Sequence, residues 1–179
     1  MRQPYLILRE PPRDAAYDAA QQARADRLVD ALLAAGVDHV VGVPDNQSRL
    51  IYERLAGEPG VRVVPVCREG EAFAIASGLY AGGAEPALVI QNTGLLEAGD
   101  SLRGTARAMG IPLVCLIGYR GYDSLGGKAV DSVAVVTEPT LNAWQIPYRI
   151  AQAGQETEAV EWAFRLARTE LRPVAVLTP

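Results

Sequence analysis

The chain has 179 residues, enough for one domain of ordinary size and short for two full hydrophobic cores. Hydrophobic residues make up 49% and charged residues 21%, which excludes a disordered or fibrous chain, and 21 Asp+Glu against 17 Lys+Arg argue against a general nucleic-acid or anionic-membrane binder. The two cysteines, Cys67 and Cys115, each fall in an apolar run, which speaks against a disulfide framework or a cysteine-based metal site and fits a reducing compartment.

Residues 1–20, with the REPPRD segment, read as an extension outside a domain spanning 21–179. The start lacks the basic-then-apolar pattern of a secretion signal, and no apolar run reaches about 18 residues, so a soluble cytoplasmic protein is expected, with no membrane partner. The Ala-rich stretch from 15 to 35 carries Leu28, Leu32 and Leu33 at helical spacing before Gly36 and predicts the first helix. A strand from His39 to Val43 stops at Pro44, and Asp45 or Asn46 is a good N-cap for a helix through Leu50, Ile51 and Leu55. The cycle repeats with a strand at 61–67 and a helix from Glu69 to Tyr80, then a strand at 87–91 and a helix from Leu95 to Met109, then a strand at 113–118. A Gly-rich polar stretch at 119–133 reads as a long functional loop. A short helix near Glu138 to Gln145, a strand near 148–151, a helix from Glu156 to Leu171 and a last strand at 174–177 complete the pattern. Strands as apolar as VRVVPV, ALVI and LVCLIG suit a sheet covered on both faces, and their alternation with helices implies a single doubly wound α/β domain with a six-stranded parallel sheet.

The usual catalytic constellations are missing. One histidine, His39, sits at the entrance of a strand and reads as structural, so a Ser-His-Asp hydrolase is nearly excluded. No GxGxxG follows the first strand, and GYDSLGGK at 121–128 lacks the spacing of a phosphate loop, which leaves a stand-alone nucleotide-binding domain as a remote alternative. The segment Cys67-Arg68-Glu69-Gly70-Glu71-Ala72 stands where a strand gives way to a helix of small residues, the end of a parallel sheet at which ligands bind. Glu69 and Glu71 also suit a first helical turn for electrostatic reasons alone.

Four ordered blocks narrow the reading: VVGVPDNQ (40–47), PVCREGEAFAIASGLYAGG (65–83), ALVIQNTGLLEAGDSL (87–102) and LIGYRG (116–121). Together they resemble the pyrimidine-binding domain of thiamine diphosphate enzymes, in particular the alpha subunits of sulfopyruvate decarboxylases and the matching part of phosphonopyruvate decarboxylases. The family pattern of a helix-opening Glu followed by Ala, Ala and Gly is met by Glu69, Ala72, Ala76 and Gly78.

The resemblance implies a catalytic role for Glu69, hydrogen-bonded to the pyrimidine N1′ so that the cofactor's own 4′-amino group can take up the C2 proton. A carboxyl in that role works best partly desolvated. It implies that Asp45 handles protons near the reacting carbon, an N-cap role being compatible, and that Val43, Pro44, Asn92, Thr93 and Gly94, with Gln91, form the two loops facing the pyrimidine. Arg120 is the candidate for an anionic group on the substrate. Arg68, Arg103 and Lys128 are lesser candidates, and Glu71 is expected to face solvent or a partner.

In the family a GDG motif and a following Asn hold the diphosphate and Mg2+. This chain has only Gly99-Asp100-Ser101. The resemblance therefore implies no metal site in this chain, a separate diphosphate-binding beta subunit carrying GDG that holds Mg2+, and an alpha2beta2 or larger assembly. The implied activity is decarboxylation of a small 2-oxoacid, of sulfopyruvate or phosphonopyruvate type, to an aldehyde and CO2. The alternatives are a carboligase subunit and a non-catalytic assembly or regulatory subunit. Leu96 and Glu97 depart from the Gly-Asn pair that relatives tend to carry after the first Leu of this helix.

Overall fold

Six β-branched or apolar runs pair into one parallel sheet in a computed structural model that describes residues 14–127 and 130–179. The strands are β1 (His39–Gly42), β2 (Arg62–Pro65), β3 (Pro86–Gln91), β4 (Val114–Gly118), β5 (Tyr148–Ile150) and β6 (Val174–Thr178), in the order β2-β1-β3-β4-β6-β5. The helices are α1 (Ala15–Ala34), α2 (Arg49–Leu55), α3 (Glu69–Ala81), α4 (Asn92–Glu97), α5 (Ser132–Ala143) and α6 (Glu156–Glu170). The alternating side chains of the central strands divide the core. Val40, Val89, Leu116 and Val176 pack under α1, α2 and α6, while Val41, Leu88, Ile117 and Leu177 pack under α3, α4 and α5. Among the described residues no helix is long and apolar enough to cross a membrane.

All six expected strands form, and the all-parallel α/β sheet agrees with the sequence pattern. Four expectations are corrected. The run at 61–67 is not covered on both faces: β2 is an edge strand, its side chains partly to fully exposed, and it ends at Pro65, so that Cys67 lies beyond it and is exposed. The helix from Leu95 to Met109 is instead two pieces, because α4 already begins at Asn92 and residues Ser101–Arg107 wind as a π-helix. Glycines at 94, 99 and 104 weaken a regular α-helix there, and a Cβ at Gly99 would press on the Trp144 ring. The helix near Glu138 starts earlier, at Ser132, capped by Asp131, whose carboxylate accepts the Val133 amide at 3.1 Å, and Pro139 lies in its interior. Finally, α1 is continuous through residue 20, its exposed first turns occupying 15–20, while residues 1–13 of the expected extension lie outside the described residues.

Because β2 lies on one side of β1 and β3 on the other, the sheet's winding reverses between β1 and β3. Strands that diverge in this way open a crevice beyond their carboxyl ends, which places the chain's small-residue loops and the start of α3 around one space.

Candidate functional site

Glu69 is the first residue of α3, and Arg68 before it is extended, so the chain turns sharply from β2 into the helix. Its side chain runs against Gly94 of α4: a Cβ at that position would overlap the Cγ, Cδ and Oε1 of Glu69. A glycine is required here by close approach. The Glu69 carboxyl is half-buried and engages no described residue by hydrogen bond or salt bridge. Glu71 behaves differently. It is exposed and its Oε2 accepts the Cys67 amide at 3.3 Å, reaching back across the helix start.

Asp45 shapes the loop after β1. Its Oδ1 accepts the amides of Gln47 and Ser48 and the Ser48 hydroxyl, each at 2.8 Å, which organises the entry to α2. Its Oδ2 makes no hydrogen bond to a described residue, so the turn uses one oxygen and leaves the other available. Val43 is half-buried and Pro44 exposed in the same loop, and Gln47 lies over the end of β4, 3.3 Å from where a Cβ of Gly118 would stand.

Tyr52, on α2, is buried. Its hydroxyl donates to the Val89 carbonyl at 2.9 Å, directly beneath Gly42 at the end of β1. Burial raises its pKa far above the ordinary phenol, and the negative charges of Asp45 and Glu69 push it the same way. The charges of Asp45 and Glu69 thus both act on one buried phenol that stays protonated at neutral pH. By sequence Tyr52 is only an aromatic on the core face of a short helix, and no local pattern marks it.

Asn92 to Gly94, expected as a loop, form the first turn of α4. Asn92 is fully buried, and its Nδ2 donates to the Arg120 carbonyl and to the Thr137 hydroxyl, both at 3.0 Å. Thr137 already donates to the Val133 carbonyl, so the Asn92 nitrogen faces two acceptors, and its Oδ1 is buried with no hydrogen-bond partner among the described residues. Thr93 is exposed and donates to the Gln91 side chain at 2.7 Å. Arg120 stands apart from the carboxylates: its backbone is tied to Asn92, and its half-exposed guanidinium pairs with Asp131 at 3.1 Å. Arg103 pairs with Asp100 at the surface, and Lys128 lies outside the described residues. His39 pairs with Asp38, which also takes the Glu85 amide, at the opposite end of the sheet. Among the described residues no three His, Cys, Asp or Glu side chains cluster as a metal site.

The site thus consists of a carboxyl at a helix start that no other described residue engages, a second carboxylate in the loop after β1, and glycines that let other groups approach closely. Residues 23–146, from α1 to just beyond α5, match the family model described as thiamine pyrophosphate enzyme, N-terminal TPP binding domain. The chain belongs to this family. As a thiamine pyrophosphate enzyme domain it is similar to the sulfopyruvate decarboxylase subunit alpha of Methanothermobacter thermautotrophicus, 28% identical over 144 residues, which cover 80% of this chain and 87% of that one. It is similar also to the subunit alpha of the same name from Methanococcus maripaludis, 27% identical over 86% of this chain and 92% of that one. The phosphonopyruvate decarboxylase of Streptomyces viridochromogenes is 34% identical over 52% of this chain and 24% of its own length.

The residues fit the family's cofactor, thiamine diphosphate, on this structure's own terms. A half-buried carboxyl without a partner among the described residues, seated on a glycine, is a suitable acceptor or donor for a ring nitrogen.

Proposed function

We propose that this chain is the pyrimidine-binding alpha subunit of a thiamine diphosphate-dependent 2-oxoacid decarboxylase. It acts with a separate diphosphate-binding beta subunit on a small 2-oxoacid bearing a second anionic group, of the sulfopyruvate or phosphonopyruvate class. The observation that carries this reading is the Glu69 carboxyl, held against Gly94 at the start of α3 and engaged by no other described group. The resemblance to chains named as alpha subunits supports the two-subunit arrangement.

When bound, thiamine diphosphate supplies a carbon nucleophile and the electron sink that loss of CO2 requires. Glu69 holds a proton at the pyrimidine N1′, and its partial burial suits a carboxyl that must share that proton rather than surrender it to water. Val43, Pro44, Thr93 and Gly94 border the pyrimidine, the glycine admitting both the ring and the Glu69 side chain. Asn92 acts from below, fixing the Arg120 backbone against α5. Asp45, with Oδ2 free, moves a proton near the reacting carbon while Oδ1 holds its own loop. Arg120, whose guanidinium is half-exposed, turns from its largely buried Asp131 partner to the distal anion of the substrate, as a planar guanidinium with spare N–H groups can.

The test is CO2 release from sulfopyruvate and from phosphonopyruvate, with thiamine diphosphate and Mg2+, using this chain alone and then with a GDG-bearing beta chain. Activity in the mixture alone, lost in Glu69→Gln with the assembly intact, supports the reading. Unchanged turnover of Glu69→Gln overturns it.

A further inference from the structure

The start of α3 carries amide groups that no residue of its own entry turn satisfies, since Arg68 at the N-cap makes no side-chain cap bond. The cap comes from another helix. The Oε2 of Glu97, at the end of α4, accepts the Gly70 amide at 2.8 Å, and its Oε1 accepts Arg68 Nε at 2.9 Å. One carboxylate therefore grips both neighbours of Glu69 in the chain. We propose that Glu97 is a positioning residue for Glu69, locking the first turn of α3 so that the Glu69 carboxyl is presented to the cofactor's pyrimidine. This rests on the role given to Glu69 above.

Three observations support it. Gly94 and Glu97 are three residues apart on α4 and so share a face, where the first receives the Glu69 side chain and the second fixes the backbone on which that side chain is mounted. The two helices are in contact here: a Cβ at Gly70 would stand at van der Waals distance from Glu97 Oε2, 3.4 Å, and from Ser101 Oγ, 3.5 Å, at the beginning of the π-helix. The Gly70 amide, then Arg68, hold the Glu97 carboxyl below the usual carboxylate range, so it is an anion facing the positive end of α3. The arrangement adds little stability, because Arg68 is 70% and Glu97 31% exposed, and ion pairs so open to water contribute weakly. What it supplies is geometry.

The test uses the complete assembly with a beta chain, thiamine diphosphate and Mg2+, and no substrate. The rate at which the cofactor's C2 hydrogen exchanges with solvent deuterium is read by NMR after acid quench, alongside the melting temperature and the cofactor dissociation constant. Glu97→Ala is expected to slow exchange by about ten- to a hundredfold with cofactor still bound, the scale of effect for a small misplacement of a reacting group. Glu97→Gln keeps an oxygen for the Gly70 amide and is expected to stay close to wild type. Glu97→Asp keeps the charge but withdraws it by one methylene and is expected to be slow. If Glu97→Ala fails to assemble, Glu97→Asp carries the test. Wild-type exchange in both Glu97→Ala and Glu97→Asp, with Glu69→Gln slow, overturns the positioning role and leaves the proposed function standing. Wild-type exchange in Glu69→Gln overturns both.

Discussion

Gly94 and Glu69 occupy one place: the side chain of Glu69 fills the volume that a Cβ at position 94 would take. Gly94→Ala must therefore displace the Glu69 carboxyl or separate α3 from α4. Because Glu69 is only half-buried, its side chain has somewhere to go, and displacement is the expected outcome. The variant should fold and assemble at a cost of about 1–3 kcal/mol for the added methyl. It should lose about a hundredfold in turnover, the magnitude that follows from moving a reacting group by roughly an ångström. Parallel melting and turnover measurements check this, and full turnover in Gly94→Ala would contradict the contact.

Asp45 divides its two oxygens between structure and solvent, and two substitutions separate the roles. Asn keeps an oxygen that can accept the Gln47 and Ser48 amides, so Asp45→Asn should melt within a few tenths of a kcal/mol of wild type while losing the charge needed for proton handling. Asp45→Ala loses the turn as well and should cost about 1 kcal/mol. Turnover falling equally in both, with stability falling only in Ala, is the expected pattern.

Much of the fold was legible because parallel strands buried on both faces must be apolar along their buried length, and β1, β3, β4 and β6 are, apart from His39, Gln91 and Thr178 at strand ends. The edge position of β2 was less legible, since strand order depends on pairings distant in sequence, although Arg62 and Pro65 within VRVVPV suit an edge better than a central strand. At the site, Glu69 was marked by the strand-to-helix junction and the Ala and Gly spacing after it. The partners that define its setting were not marked: Glu97 lies 27 residues beyond the Gly70 amide it accepts, Tyr52 lies 37 residues before the carbonyl it donates to, and Asn92 turns inward to Thr137 rather than toward a loop surface. These are contacts between neighbouring elements, and periodicity within one element carries no record of them.

Tyr52→Phe tests the buried phenol. Removing the hydroxyl leaves the Val89 carbonyl without that donor at the floor of the site and should cost about 1 kcal/mol. Since burial, with Asp45 and Glu69 adding to it, keeps the phenol protonated well above neutrality, the variant should show no new pH dependence of stability between about pH 5 and 9. Chemical denaturation at several pH values provides the measurement.

Glu156 is the fully buried carboxylate on which acid sensitivity should centre. Its side chain has no exposed surface; Arg27 donates to both oxygens, at 2.8 and 3.1 Å, and Arg24 Nε lies 3.6 Å away. Burial opposes the charge, but the Arg27 hydrogen bonds, the residue's own amide and the charges of Arg27 and Arg24 outweigh it, so the carboxyl sits below the usual carboxylate range. The sign follows. A carboxyl whose folded pKa is depressed contributes stability that is fully present above its unfolded value of about 4.3 and is lost as pH falls through the folded value. Glu156→Gln should therefore destabilise the chain at pH 7 by about 3 kcal/mol, the low end for breaking a buried pair because Arg27 still reaches solvent. The gap to wild type should narrow below about pH 4, where the unfolded chain's carboxyl takes up its proton while the folded one still holds its charge, and should go on narrowing as pH falls through the lower folded value. Denaturation curves for both proteins from neutral to acid pH check this, and a gap that stays constant or widens on acidification would show that Glu156 is not held as an anion.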